Sequence, residues 1–410
     1  MPDLIIVGGG AAGCFAAAHA SAAGCRVQVL DANDRLMHKL SITGKGRCNL
    51  TNACDQDEFM QNVLRNPRFL YSALSRCTPA DVMAYFESLG VPLKTERGRR
   101  VFPQSDRAQD IVSALTNAMK QHGTSLRLHA NVRKLLLSDG VCTGVQLAGG
   151  ETLRADAVLV TTGGMSYPRT GSQGGGYRLA EQAGHTVIPP QPSLIPLETE
   201  ETDPQDMQGL SLKNVTLTVT SGKKVIFTEL GEMLFTHFGI SGPLVLSASC
   251  KMNPDQISAY LLKIDLKPGL TPEQLDQRLQ RDFGEGPNRA ISNILRSLLP
   301  ASMIPVILRR AGIAAEKKAH DMTRQERQAL GNAVKGFTLH VKAMRPIAEA
   351  IVTRGGVSVR EVNPNTMESK LIRGLYFAGE VLDVDAYTGG YNLQIAFATG
   401  FAAASAVSQL

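Results

Sequence analysis

Three glycines at Gly8-x-Gly10-x-x-Gly13 and an acid at Asp31 are the first residues here whose types and spacing could do chemistry. The first glycine permits a tight turn, the second lets backbone approach a pyrophosphate, and the third lets a helix pack closely on a strand. A helix opening at that point offers free N–H groups and a positive dipole end to phosphate. Asp31, 18 residues beyond Gly13, would accept hydrogen bonds from the hydroxyls of an adenosine ribose. Three more glycine clusters stand far apart: Thr43-Gly44-Lys45-Gly46-Arg47-Cys48-Asn49, Thr162-Gly163-Gly164 and Gly389-Gly390-Tyr391-Asn392. A nicotinamide dinucleotide ordinarily needs one such turn, so clusters towards both ends of the chain point to a longer cofactor, FAD. In that reading Gly379-Glu380 to Asp383 places a carboxylate by the ribityl hydroxyls. The helix after Gly390-Tyr391 then aims its first N–H groups at flavin N1 and O2, where they stabilise the reduced ring.

Three side chains are candidates for the reacting centre. Cys48, beside Arg47, is either a thiol that donates a proton, with Arg47 favouring the thiolate, or a small residue fitted under the cofactor. His237, in Thr236-His237-Phe238-Gly239 next to Ser241-Gly242-Pro243, is either an acid/base or a histidine that pins a turn. Tyr391, with Tyr387 across Gly389-Gly390, either shapes the substrate face or belongs to the core. No Ser/His/Asp grouping or acidic pair supports hydrolysis, and the histidines show no metal-ligand spacing.

These residues need elements to hold them. Residues 3–7 (DLIIV), the glycine turn, Ala11 to Ala23 and Arg26 to Leu30 (RVQVL) read as β–turn–α–β, the opening of a doubly wound sheet. Ala11 to Ala23 also resembles an apolar signal core, but it lacks a basic leader and follows a Gly-rich turn, so it reads as a helix of the fold. Strands are expected at 126–128, 141–147 and 157–161. The Pro-rich PPQPSLIPLE from Pro189 reads as the exit from this domain. Residues 215–220 and 224–228 read as antiparallel strands, 271–335 as helical, and the chain returns to αβ texture after Arg345. Leu375 to Ala378 is expected as a buried strand and Gly389 to Val407 as a helix.

At 410 residues the chain is long enough for two or three domains. An apolar content of 43% excludes disorder, and 39 glycines without a period exclude collagen. Seven cysteines without CxxC spacing argue against a disulfide framework, a zinc ribbon or a dithiol centre, and fit a reduced, cytoplasmic compartment. No apolar run is long enough to span a membrane. The net charge of +6 is concentrated. Residues 61–107 hold eight Lys/Arg against four acids, and residues 271–327 ten against seven. Arg97-Gly98-Arg99-Arg100 is the densest cluster, and guanidinium groups around a glycine turn suit phosphate contacts. An ordinary solvated basic face is the alternative, and there is no Trp for base stacking.

Taken together, Gly8–Gly13, KLSITGKGRCNLTN (residues 39–52), EMLFTHFGISGP (232–243), TRGGVSVREVNPNTMESK and GLYFAGEVLDVDAYTGGYNLQIAFATG resemble one family. It is the bacterial FAD-dependent flavoproteins of the BaiN/RdsA type, which include aminoacetone oxidase. The resemblance implies an α/β fold: a Rossmann-like two-segment FAD-binding domain (1–192 and 346–410) with a β-barrel-like insert (193–268, returning at 333–345) and a helical subdomain (269–332). By matching position it implies FAD contacts at Gly8, Gly10, Ala12, Asp31, Lys39, Gly44, Arg47, Asn49, Val132, Gly163, Asp383, Asn392 and Leu393. The same clusters add Ala11, Gly13, Ala32, His38, Thr43, Gly46, Thr162, Gly379, Glu380 and Gly390. Two departures stand out: Met37-His38 replaces a usual Gly-Arg or Gly-Lys, and Ala386 replaces a common Gly. The resemblance implies an oxidoreductase that either reduces a uridine of large-subunit ribosomal RNA to dihydrouridine or acts on a small molecule, as an aminoacetone-type oxidase or a steroid-enone reductase. The basic windows tilt the reading towards RNA, with Arg97, Arg99 and Arg100 as contacts. No second GxGxxG with its acid lies within 150–345, so no separate NAD(P)H domain is expected; the redox partner, whether NADH or NADPH reacting transiently at the flavin or O₂, stays open.

Overall fold

The computed structural model describes all 410 residues. The chain divides into two units, Met1–Ser193 with Ile347–Leu410, and Leu194–Pro346. The first is built on five parallel strands: β1 (Asp3–Val7), β2 (Arg26–Leu30), β3 (Ser125–Arg127), β4 (Ala157–Val160) and β5 (Leu375–Phe377). Their order is β5-β4-β1-β2-β3. The central strands are short apolar runs, and every residue of β4 and β5 is buried, as a sheet covered on both faces requires. From β1 the chain moves outward through β2 and β3, then returns to the other side of β1 with β4. That reversal makes the β1/β4 crevice a topological switch point, where open α/β sheets bind ligands beyond the strands' carboxyl ends. Gly8 follows β1 there and Thr162-Gly163 follows β4.

Two helices pack against each other beside this sheet. Helix α1 (Ala11–Ala22) and helix α2 (Tyr391–Val407) are rich in Ala, and small residues let them approach closely. A Cβ on Gly400 would stand 2.6 Å from Ala12 O, nearer than side-chain carbons pack. Aromatic rings lock the pair further along, with Phe15 and Phe397 at 4.8 Å between centroids.

Two expected features take a different form. Residues 141–147 are a strand, but they pair with Val132–Ser138 and Thr152–Arg154 in a separate antiparallel sheet rather than in the parallel one. The Pro-rich exit is itself a strand, Val187–Ser193, paired with Val352–Val357. A two-stranded ribbon is all edge, and its register shifts between Ile188 and Gln191, so Pro189 and Pro190 sit where no ladder N–H is required.

The second unit is a closed barrel of six strands, Leu197–Thr199, Ser211–Ser221, Lys224–Thr236, Gly239–Ser241, Tyr260–Asp265 and Phe337–Met344. Helices Pro272–Glu285, Ile304–Ala311 and Arg324–Lys335 are inserted before the last strand. Capping boxes at Thr271/Gln274 and Thr323/Glu326 start two of them. No helix is long and apolar enough to cross a membrane.

Candidate active site

The turn after β1 explains each of its glycines. Gly8 has φ +109°, and a Cβ there would lie 2.7 Å from Thr161 O. At Gly13 a Cβ would lie 2.0 Å from Gly8 O, so only glycine allows helix and strand this close. Gly10 differs, because its Cβ would meet nothing nearer than Thr161 O at 3.9 Å. It caps α1 without a side-chain hydrogen bond, and no acid stands in the first turn. The first helical bond runs from Cys14 N to Gly10 O, so the amides of Ala11, Ala12 and Gly13 have no acceptor within the helix. Asp31, 7% exposed, accepts from Gly9 N at 2.6 Å and Asn33 N at 2.7 Å. A carboxylate has about four acceptor positions, so Asp31 keeps room for a ribose hydroxyl. Ala32 is exposed beside it, and Ala130 N donates to Asp31 O, which brings the segment leading to Val132 to the same end. Thr162 Oγ1 is buried without a partner, and Gly163 takes φ +71°.

At the other pole the second glycine cluster meets the C-terminal one. The helical segment His38–Gly46 breaks at Thr43, and Gly44, Lys45 and Gly46 take φ of +57°, +61° and +82°. Asn49, its amide oriented to satisfy both neighbours, donates to Thr51 O at 3.2 Å and accepts from Gly390 N at 3.0 Å. Gly390 has φ +100°, and a Cβ on it would lie 2.3 Å from the Thr51 carbonyl. It starts α2 uncapped, and the first bond there is Gln394 N to Gly390 O. The amides of Tyr391, Asn392 and Leu393 are therefore free for a ligand. The Asn392 side chain is used locally, donating to Ala386 O at 2.8 Å and accepting from Ala386 N at 3.0 Å. It pins the loop at Ala386, so its offer to a cofactor is the backbone N–H.

The charged residues of the crevice are largely engaged with one another. Lys39 Nζ lies 2.7 Å from Glu380 Oε2 and 2.5 Å from Ser166 Oγ. Glu380 Oε1 also accepts from Thr353 N at 2.8 Å and Ser166 Oγ at 3.0 Å. Gly379, at φ +77°, would set a Cβ 2.9 Å from that of Ala12, which ties this turn to the start of α1. Asp383, 5% exposed, faces Arg65, with Nε to Oδ1 at 3.0 Å. That Oδ1 receives charge but no aligned hydrogen bond. Asp385 is 1% exposed, and burial pushes its carboxyl up against the pull of its bond from Ser193 Oγ.

Of the three reacting-centre candidates, two are corrected. Cys48 is fully buried with φ +60°, and burial pushes its thiol up to about 12. Arg47 does not favour a thiolate, because its guanidinium is held by Glu96 and Asp106 and stacks 4.1 Å over Phe102. Tyr391 is 7% exposed and packs edge-on to Phe59 at 5.1 Å, so its side chain belongs to the core. Burial also raises its hydroxyl, with Cys54 as its neighbour. His237 is exposed in the barrel unit, at the turn between Thr236 and Gly239, with its ring 5.0 Å from that of Phe238.

Sequence reasoning passed over Asn52, Ser166, Thr353 and Gln394. Gln394 is fully buried, bonded to Thr51 Oγ1 at 2.7 Å and Cys77 O at 2.8 Å. Asn52 donates to Gly98 O and to Gly389 O, each at 3.0 Å. Its only sequence signal was a second Asn three residues after Asn49.

Two uncapped helix starts, glycine turns that a Cβ would fill and a buried acid after β2 are donors and acceptors of the kind a flavin dinucleotide requires. A model of the HI0933-like protein Rossmann domain matches residues 2–406. The chain belongs to the HI0933-like family. It is 31% identical to a ribosomal RNA dihydrouridine synthase of Escherichia coli (strain K12) over 403 residues, covering 98% of this chain and 97% of that protein. A protein of the same name from Haemophilus influenzae is 31% identical, covering 99% and 98%. A 3-dehydro-bile acid delta(4,6)-reductase of Clostridium scindens is 30% identical, covering the whole of both chains. Among solved structures, a 3-ketosteroid-delta4-(5alpha)-dehydrogenase from Rhodococcus jostii RHA1 shares the fold, with TM-score 0.53 and 15% identity over 100% of this chain and 97% of that one. This member of the family is an FAD-dependent oxidoreductase.

Proposed function

We propose that this HI0933-like protein reduces a carbon–carbon double bond conjugated to a carbonyl, and that its substrate is a uridine of large-subunit ribosomal RNA. The observation that carries the RNA reading is the place of the arginine turn. Arg97, Arg99 and Arg100 are exposed, and the turn is bonded through Asn52 to Gly389, at the start of α2. Arg99 pairs with Glu58, Arg100 Nε turns onto Arg97 O, and the Arg97 side chain engages no carboxylate. Guanidinium groups in that state can take phosphates next to the flavin-facing loops. The two relatives named ribosomal RNA dihydrouridine synthases, alike over nearly the whole chain, support the same substrate.

FAD, when bound, supplies hydride transfer from N5, and NADH or NADPH is the proposed source of its two electrons. Hydride adds at uracil C6 and a proton at C5, giving 5,6-dihydrouridine. The chain's part is to hold and orient. The amides of Ala11 to Gly13 and Asp31 would hold the adenosine diphosphate end, and the amides of Tyr391 to Leu393 would stabilise negative charge on the flavin. Cys48 and Tyr391, buried among their neighbours, are not offered as the proton donor.

The test is purified holoenzyme with unmodified ribosomal RNA and NADPH or NADH, read by mass spectrometry of nucleosides. Dihydrouridine at one site supports the reading, and deleting the gene should remove that same residue from cellular rRNA. An unchanged modification profile sinks it. The likeness to the bile acid reductase favours a second reading, a steroid dienone as substrate, because a 3-oxo-4,6-diene presents the same conjugated bond. Turnover of that dienone without any RNA product would select it.

A further inference from the structure

Asn52 joins two loops that lie far apart in sequence, and its contact with Gly389 spans 337 residues. The side chain is 2% exposed. One amide nitrogen donates both to Gly98 O, inside the arginine turn, and to Gly389 O, just before α2. Its Oδ1 is buried and receives no hydrogen bond, so the amide is held for its two donations alone. Hydroxyl side chains have one donor and carboxylates none, so a neutral amide fills both roles where those side chains could not.

Neither loop has slack. Gly98 and Arg99 take φ of +74° and +56°, and the turn is fastened to the Gly-rich segment by Ala53 N to Arg99 O at 2.8 Å and Leu50 N to Val101 O at 2.9 Å. On the other side Gly390 is wedged against the Thr51 carbonyl and held by Asn49. A small displacement of Gly98 is therefore passed to Gly389 rather than absorbed. We propose that Asn52 is a positioning residue that couples a polyanionic RNA held at the Arg97–Arg100 turn to the flavin-facing start of α2. The inference deepens the proposed function and rests on it.

The experiment titrates the FAD-loaded protein with an unmodified ribosomal RNA fragment and records RNA binding by anisotropy and the flavin by visible absorbance and midpoint potential. Wild type is expected to show a flavin spectral and potential shift that saturates together with binding. Asn52→Ala should keep one FAD per chain and bind RNA within about threefold, yet lose the shift, with kcat down about tenfold at nearly unchanged KM. Asn52→Leu keeps a similar shape without any donor and should lose the shift as well; it also serves if Asn52→Ala does not yield folded holoprotein. A full shift in either variant overturns the coupling. Wild-type binding and turnover of RNA without any flavin response overturns the coupling and leaves the proposed function standing. Neither binding nor turnover of RNA overturns both.

Discussion

Gly10→Ala and Gly13→Ala, two one-carbon changes three residues apart, should fail in opposite ways. At Gly13 the new Cβ would lie 2.0 Å from Gly8 O and 2.6 Å from Thr161 Oγ1. Real Cβ contacts essentially never fall under 3.0 Å, so helix and strand must part by about 1 Å. Overpacking costs about 1–3 kcal/mol, and the better helix propensity of Ala returns up to about 1 kcal/mol. The net loss is about 1–2 kcal/mol, roughly 2–8 °C in Tm for a unit of this size. At Gly10 the backbone is extended, φ −81° and ψ −166°, and the new Cβ meets only Thr161 O at 3.9 Å. The deflavinated protein should then be as stable as wild type, or about 0.4–1 kcal/mol more stable. What the methyl occupies is the space a pyrophosphate needs to reach the α1 amides. Losing about two charge-assisted hydrogen bonds at about 1.5–3 kcal/mol each raises the FAD Kd roughly 10²–10⁴-fold. Thermal unfolding of the deflavinated proteins, with FAD titration by flavin fluorescence, separates the two. Gly10→Ala binding FAD within about threefold of wild type would refute the assignment of that turn.

Other expectations follow from single contacts. Glu380→Gln removes the partner of Lys39 in a partly buried pair and should cost about 1–2 kcal/mol, read as a lower urea midpoint, with Lys39→Met coupled to it in a double-mutant cycle. Burial raises the thiols of Cys48 and Cys77 to about 12 and of Cys54 to about 11, from an ordinary 9.0. Their folded values exceed their unfolded ones, so the stability they contribute is present below pH 9.0 and lost as pH rises towards 12. Urea midpoints should fall across that window, and Cys48→Ala should leave the kcat profile unchanged below it. Arg97→Glu with Arg100→Glu should leave FAD content intact, weaken RNA binding, and lower the slope of log affinity against log salt by about 2; an unchanged slope would exclude that turn from the interface.

Much of the fold was legible because its signals are local. DLIIV, three glycines and an Ala-rich run encode a strand, a turn and a helix within a few residues of one another. What the local signals left open was strand pairing, because partners decide it. Val141–Leu147 forms the expected strand, and the fold pairs it with Val132–Ser138 and Thr152–Arg154 in an antiparallel sheet of its own. The Pro-rich segment became a strand because a two-stranded ribbon tolerates missing donors.

At the site, spacing alone pointed to the glycines, to Asp31 and to both helix starts, since a phosphate-binding turn is a property of contiguous backbone. Side-chain roles were not settled that way. Arg47 stands next to Cys48 in sequence, yet its charge goes to Glu96 and Asp106. Lys39 finds Glu380 across 341 residues, and Asn52 finds Gly389 across 337. A guanidinium, an ammonium or an amide is satisfied by whichever groups the completed fold brings within 3 Å or so, and burial then sets its pKa. The sequence therefore determined which cofactor the backbone can cradle. Only the packed structure decided which side chains remain free to act on what is bound there.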